Sequence, residues 1–286
     1  MTFLGGTGPR PIRGTKGCNG AGGGLIPDAL GRPERVGRRA MRRMRVGCAS
    51  AGRYRPAMGT PPPHATDGFW ESTGATKTFT HPLDAELLTE FVPRTARVLD
   101  YGCGYGRLTA ELVGSGYRAV RGVDRSAALI ARGRREHPGL ALMRWAGFPL
   151  PFADRSFDAA LLFAVLTCVP DDAGQRAIVG ELGRLVRPGG VLYVSDVPLQ
   201  DDAFHRGQYE RFAARYGTYG VFETEDGGVF RHHPPEWLRG LLREAGFAVL
   251  RERRTVVPTL DGRTAERLQI MARREPAGAP AESGTG

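Results

Sequence analysis

Val98-Leu99-Asp100-Tyr101-Gly102-Cys103-Gly104-Tyr105-Gly106-Arg107 decides the fold. Val98 and Leu99 begin a short apolar strand that ends on an acid. Three glycines at every second position then form a tight turn, and Leu108 and Leu112 follow at helical spacing. A strand that passes through a glycine turn into a helix opens a βαβ unit. Three glycines in one such turn carry an entropic cost, which is tolerated where a ligand must lie against the backbone.

The alternation continues outward. Ala119-Val120-Arg121-Gly122-Val123 is a second strand, ending at Asp124, and Ser126 is placed to cap the next helix. Leu140–Met143 is a third strand. Phe157–Phe163 is a fourth, almost wholly apolar, as a strand covered on both faces must be. Ile178, Leu182 and Leu185 lie on one helix face, and Arg187-Pro188-Gly189-Gly190 stops that helix before a fifth strand, Val191–Val194. Pro235 opens a helix bearing Trp237, Leu238, Leu241 and Leu242, and Gly246 ends it. Ala248–Thr255 and Gln269–Ala272 are two last strands. The pattern predicts a doubly wound α/β domain with a mainly parallel sheet and right-handed crossovers. Ligands of such sheets sit at the carboxyl ends of the strands.

The glycine turn admits two chemical readings. A dinucleotide fingerprint sets pyrophosphate on the helix N-terminus. Here Asp100 stands two residues before the first glycine, and a carboxylate near a pyrophosphate is repelled by roughly several kcal/mol in a partly buried site. S-adenosylmethionine carries a sulfonium and an ammonium and no phosphate, so the same carboxylate favours it. Asp124 suits either nucleotide, because a carboxylate accepts from both ribose hydroxyls.

The decisive stretch resembles motif I of the class I S-adenosylmethionine-dependent methyltransferases. Gly122-Val123-Asp124-Arg125-Ser126 resembles their acidic ribose motif. Leu150-Pro151-Phe152, with Asp154 and Ser156-Phe157-Asp158, is similar to a stretch of the small-molecule branch that includes the ubiquinone and menaquinone methyltransferases. Leu185 to Gly190 resembles the turn before the fifth strand. The resemblance runs from Val98 to Asp196. It implies a seven-stranded sheet with an antiparallel last strand; the segment inserted after strand five, outside the motifs, is a candidate lid. The resemblance also implies a methyl transfer to an O, N or C nucleophile of a small-molecule acceptor. Asp100, Tyr101, Gly102, Cys103 and Gly104 would line the methionine half of the cofactor, Asp124 would hold the ribose, Arg125 would flank the adenine, and Phe163 would face the cofactor. Many relatives carry an acid where this chain has Ala146, which leaves adenine to backbone groups, Trp145 or Phe148.

A protic acceptor needs a base as well as alignment. Two segments outside these motifs are candidate lids: Phe69 to Pro82, within a cap segment 58–96, and Asp201 to His233, within a domain spanning 97–274. The second contains a hairpin, Val221-Phe222-Glu223 and Val229-Phe230-Arg231, turning at Asp226-Gly227-Gly228. His205, His232 and His233 are the candidate bases; the alternative for each is a surface or hydrogen-bonded histidine. Phe204, Tyr209, Phe212, Tyr216, Tyr219 and Phe222 either line an acceptor pocket or pack the lid. No acid or cysteine stands at ligand spacing from His232-His233, and the four cysteines form no CxxC pair, so no metal is expected.

Of the 286 residues, 41% are hydrophobic, enough for a substantial core, and no run is long enough to span a bilayer. The formal charge of +10 belongs to residues 1–56, with twelve basic and two acidic residues; the remainder balances at 28 of each. The charge is therefore no argument for a nucleic-acid partner of the α/β part. Residues 1–57, with Gly22-Gly23-Gly24 and an Arg-rich run from Arg38 to Arg45, bury too little to fold. They read as a basic tail, as sequence upstream of a true start at Met58, or as a nucleic-acid or membrane-binding arm. Residues 275–286 read as a second disordered tail. Without a signal-peptide pattern, a cytoplasmic enzyme is expected. The rival functions are a nucleic-acid methyltransferase, a non-catalytic partner-binding protein of the same fold, and another transfer from the same cofactor. Phe163-Ala164-Val165-Leu166-Thr167 stands where the first rival usually has an Asn/Asp-Pro-Pro-aromatic run.

Overall fold

The structure, a computed structural model, describes residues 67–259 and 262–276. The basic stretch, the alternative start at Met58 and residues 277–286 lie outside the described residues. In chain order come α1 (Asp67–Glu71), α2 (Ala85–Phe91), β1 (Arg97–Tyr101), α3 (Arg107–Gly114), β2 (Ala119–Asp124), α4 (Ala127–Glu136) and β3 (Leu142–Arg144). Next are β4 (Phe157–Phe163), α5 (Asp172–Leu185), β5 (Val186–Asp196), α6 (Ala203–Tyr216), β6 (Val221–Glu223) and β7 (Val229–Arg231). The chain closes with α7 (Pro235–Glu244), β8 (Phe247–Pro258) and β9 (Thr264–Arg274).

Seven strands form one sheet in the order β3-β2-β1-β4-β5-β9-β8. β1 to β5 pair in parallel, and β9 runs antiparallel between β5 and β8. This is the doubly wound α/β fold expected from the alternation. β1 leads to β2 on one side and has β4 on the other, so the loops after β1 and β4 diverge and open a crevice at the carboxyl edge.

Period-two alternation in β4 divides the core. Ala160 and Leu162, with Phe157 from before the register shift against β5, join one cluster with Ile178 and Leu182 of α5 and Leu241 of α7. Ala159, Leu161 and Phe163 join the other with Leu87 of α2 and Leu108 and Leu112 of α3. Helix starts follow their caps: Ser126 Oγ accepts from Leu129 N at 3.0 Å, and Asp202 Oδ1 from His205 N at 3.1 Å.

The boundaries differ from the sequence reading in three places. β3 begins at Leu142, since the chain is still turning at Leu140 after Gly139, and Leu142 N bonds back to Leu140 O. β5 begins at Val186 and carries Arg187-Pro188-Gly189-Gly190 as an irregular first stretch, matched by a register shift against β4. β8 and β9 extend each other to Pro258 and Thr264, since a hairpin pairs residues whose own apolar pattern is weak.

Candidate active site

The glycine turn is held in shape by β2. Gly102 N and Cys103 N both donate to Val123 O, at 2.8 and 3.1 Å. Gly102 and Gly104 have φ of +71° and +57°, a left-handed backbone that other residues adopt only with strain. A Cβ at Gly102 would also overlap Val165, and one at Gly104 would overlap Phe79. The turn opens into a cavity of about 820 Å³, within the range of small-molecule sites. Asp100, Tyr101, Gly102, Cys103 and Gly104 border it, as do Asp124, Arg125, Ala146 and Phe163. Trp145 and Phe148 border it too.

Each of the two acids is fixed by neighbours. Asp124 Oδ2 accepts from Gly104 N and Oδ1 from Ser126 N, both at 2.8 Å. Burial pushes the Asp124 carboxyl up, and those backbone N–H groups pull it the other way. Asp100 is 1% exposed and accepts from Thr109 Oγ1 at 2.7 Å. Burial raises its pKa to about 6, against the opposing pull of the Thr109 hydroxyl and Arg107.

The far wall is the lid, made of α6 and the β6–β7 hairpin, which turns as the sequence predicts. It interlocks with the segment around α1. Phe230 meets Phe69 and Trp70 edge-on at 5.9 and 6.3 Å, and Lys77 Nζ pairs with Asp226 at 2.5 Å. Glu71 accepts from Ala127 N and Ala128 N at 2.8 and 3.0 Å, tying α1 to the start of α4. Among the described residues of the expected cap segment, those that border the cavity lie between Gly68 and His81; α2 belongs to the core.

Of the three candidate histidines, His205 and His232 border the cavity, with ring centroids 5.4 Å apart. His205 Nδ1 lies 2.6 Å from Asp202 Oδ2. A carboxylate only accepts, so Nδ1 carries a proton, and in the neutral ring Nε2 keeps the lone pair. His232 Nδ1 is 2.6 Å from Tyr209 OH, and burial, followed by His205 and His233, pushes its pKa far down. His233 does not reach the cavity. Its ring is fully buried, neither nitrogen has a hydrogen-bond partner among the described residues, and the nearest acid is Asp196 at 3.7 Å. This corrects its place among the candidate bases: adjacent residues of an extended chain point to opposite faces. Phe204 and Phe222 border the cavity, Tyr209 lies behind it on His232, and Phe212, Tyr216 and Tyr219 stay outside.

Five contributors were missed in the sequence. Asp202 had a signal, an acid three residues before a histidine at a helix start. His81 borders the cavity as a neutral ring, driven to about 2 by burial, then by Arg267 and Arg107. Gln208 borders it one turn after His205, with Oε1 buried and lacking a hydrogen-bond partner among the described residues. Thr259 and Arg263 close it from the β8–β9 turn, and no local pattern announced them. Among the described residues, no group of three or more His, Cys, Asp or Glu is placed to hold a metal ion.

A family model described as a methyltransferase domain matches residues 78–252. The chain belongs to this methyltransferase domain family. It is 36% identical over 124 residues to a demethylmenaquinone methyltransferase of Beutenbergia cavernae, covering 43% of this chain and 47% of the relative. It is 34% identical over 157 residues to a trans-aconitate 2-methyltransferase of Deinococcus radiodurans, covering 54% and 56%. The chain thus spans about half the length of these relatives. A crystal structure of a SAM-dependent methyltransferase from Methanosarcina mazei superposes with a TM-score of 0.61 at 25% identity, over 68% of this chain and 99% of that one. Within the methyltransferase domain, the family match includes the glycine turn, Asp124 and both lid elements. Thr259 and Arg263 lie beyond it.

Proposed function

We propose that this protein is an S-adenosylmethionine-dependent methyltransferase acting on a small-molecule acceptor. The observation that carries the reading is a single cavity bordered at one end by Asp100, the glycine turn and Asp124, and at the other by a lid with paired histidines. The cofactor end suits the ligand. Asp100 is a buried carboxyl held up at about 6, so the cavity has an unmet demand for positive charge. The left-handed glycines leave backbone where side chains would obstruct it. Arg107 borders the cavity with Nε buried and without a hydrogen-bond partner among the described residues, available to an α-carboxylate.

In this reading Asp100, Tyr101, Gly102, Cys103 and Gly104 hold the methionine half, and both oxygens of Asp124 take the ribose hydroxyls. Arg125, Trp145, Ala146 and Phe148 surround the adenine, and Phe163 faces the cofactor. When bound, S-adenosylmethionine supplies an electrophilic methyl group whose departure leaves a neutral thioether. The chain has to align the acceptor, exclude water and receive a proton. His205 is the base. Its Nε2 lone pair is free, and the Asp202 carboxylate on Nδ1 supports the charge that arrives. His232 has Nδ1 tied to Tyr209, and His81, at about 2, holds a proton too weakly. The lid and α1 segment shield the site. No helix among the described residues is long and apolar enough to cross a membrane.

Calorimetry with S-adenosylmethionine and NAD, followed by label transfer from methyl-labelled cofactor to a panel of phenols, amines and RNA, tests the reading. Binding of the sulfonium compound and labelling of a small molecule are expected. Binding of NAD in its place, or labelling of RNA alone, overturns it.

A further inference from the structure

The two cavity-facing histidines are locked in opposite tautomers. His205 donates its Nδ1–H to Asp202, so in the neutral ring, the form a base must take, Nε2 can only accept. For His232 the assignment comes through Tyr209. The Tyr209 oxygen accepts from Gln200 N at 3.1 Å, and its O–H has only His232 Nδ1, at 2.6 Å, to donate to. The reverse arrangement would strand a buried hydroxyl proton, at roughly 1–3 kcal/mol. His232 Nδ1 is therefore the acceptor, and its proton is on Nε2, which can only donate. The hydrogen bonds of both rings among the described residues run through Nδ1 and none through Nε2, and both rings border the cavity. The rings stand 5.4 Å apart, with Phe222 edge-on to both, at 6.5 and 4.9 Å.

We propose that the methyl acceptor is a planar hydroxy-carbonyl compound, its hydroxyl bound by His205 Nε2 and its neighbouring carbonyl oxygen by His232 Nε2–H. This rests on the reading of His205 as the base. Two rings 5.4 Å apart on one cavity, one accepting and the other donating, are complementary to an O–H beside a C=O. In water, such a pair closes on itself through an internal hydrogen bond, which makes the hydroxyl a poor nucleophile. His232 takes over the carbonyl and frees the hydroxyl to face His205. The hydroxyl proton then passes to His205 Nε2 as the oxygen's electron pair forms the bond to the methyl carbon, and the donor's carbon–sulfur bond breaks with its pair returning to sulfur as a neutral thioether. Phe222, Phe204 and Phe230 give the frame flat apolar walls.

The test is calorimetry with S-adenosylhomocysteine present, using three probes. These are 2-hydroxyacetophenone, 2-ethylphenol, which lacks the carbonyl, and 2-methoxyacetophenone, which lacks the proton. The first is expected to bind about tenfold or more tighter than the others, since each analogue strands one polar group of the site. H232F is expected to lose the preference over 2-ethylphenol. H232Q, whose Nε2–H still donates, is expected to keep it. Equal affinity for 2-hydroxyacetophenone and 2-ethylphenol in the wild-type protein overturns the proposal, and so does a preference that survives in H232F. Failure of S-adenosylhomocysteine to bind counts against the cofactor reading alone. The three probes are then compared on the free protein, where the same ratio decides.

Discussion

Acidification is expected to weaken cofactor binding through one carboxyl, Asp100. The group is 1% exposed and has a pKa of about 6, raised from 3.8 chiefly by burial. The folded, ligand-free protein thus binds this proton more tightly than the unfolded chain does. Ionised Asp100 lowers stability by about 3 kcal/mol above pH 6, and that penalty fades as the pH falls from 6 toward 3.8. A sulfonium and an ammonium in the cavity supply the counter-charge and need the carboxylate form. Binding and protonation therefore compete. At pH 5 about nine in ten free molecules carry the proton, so the apparent affinity falls about tenfold from its value at pH 7.

Calorimetry at pH 5, 6, 7 and 8 measures the slope, and repeating it in two buffers of different ionisation enthalpy counts the proton released. Asp100→Asn keeps an oxygen for the Thr109 hydroxyl but carries no charge. The variant is expected to be more stable than wild type by up to about 3 kcal/mol at pH 7, to lose cofactor affinity, and to release one proton fewer. Asp196, also raised to about 6 by burial against the pull of Arg267, adds to the stability slope. It does not border the cavity, so that part of the slope persists in the variant. An affinity that is level between pH 5 and 7 with no proton release refutes the reasoning. Wild-type affinity in Asp100→Asn refutes it equally.

Three further perturbations address other parts of the site. His205→Ala is expected to lower kcat by about 10²–10⁴-fold while S-adenosylhomocysteine binds as in wild type, read by initial rates and calorimetry on the same preparation. Gly104→Ala places a side chain at φ +57° against Phe79; a loss of about 1–2 kcal/mol in urea unfolding and a clear loss of cofactor affinity are expected. Lys77→Ala removes the partly exposed pair with Asp226, so stability should change by less than about 1 kcal/mol. If that pair holds the lid against the α1 segment, KM for the acceptor rises in the variant while cofactor affinity stays put.

What the sequence disclosed was the chemistry carried by neighbouring residues. The glycines at 102, 104 and 106 announce a left-handed turn wherever they occur, and all three have positive φ. Ser126 caps α4 through its own third neighbour, and Asp226-Gly227-Gly228 turns its hairpin from within. Asp202 and His205 belong to the same class, since the cap spacing that starts α6 also brings the carboxylate to the ring. The acceptor end is different. Tyr209 and His232 are 23 residues apart, Trp70 and Phe230 far more, and Arg263 enters from a turn of weak pattern. These meet only once the lid has packed, and no local spacing encodes that.

His232 and His233 mark the border between the two kinds of information. Read as a pair they offer two bases; read as extended chain they must part. Alternation puts Phe230 and His232 on one face and Arg231 and His233 on the other. The first two border the cavity. Arg231 turns away to Asp172 at 2.6 Å, and His233 toward Asp196. Period two separates the two rings, but only the lid's packing says which face is wet. The cofactor end is written in backbone and the acceptor end in side chains from distant segments. Substitutions on the lid can therefore change which acceptor is taken while the glycine turn, and the affinity it sets, stay as they are.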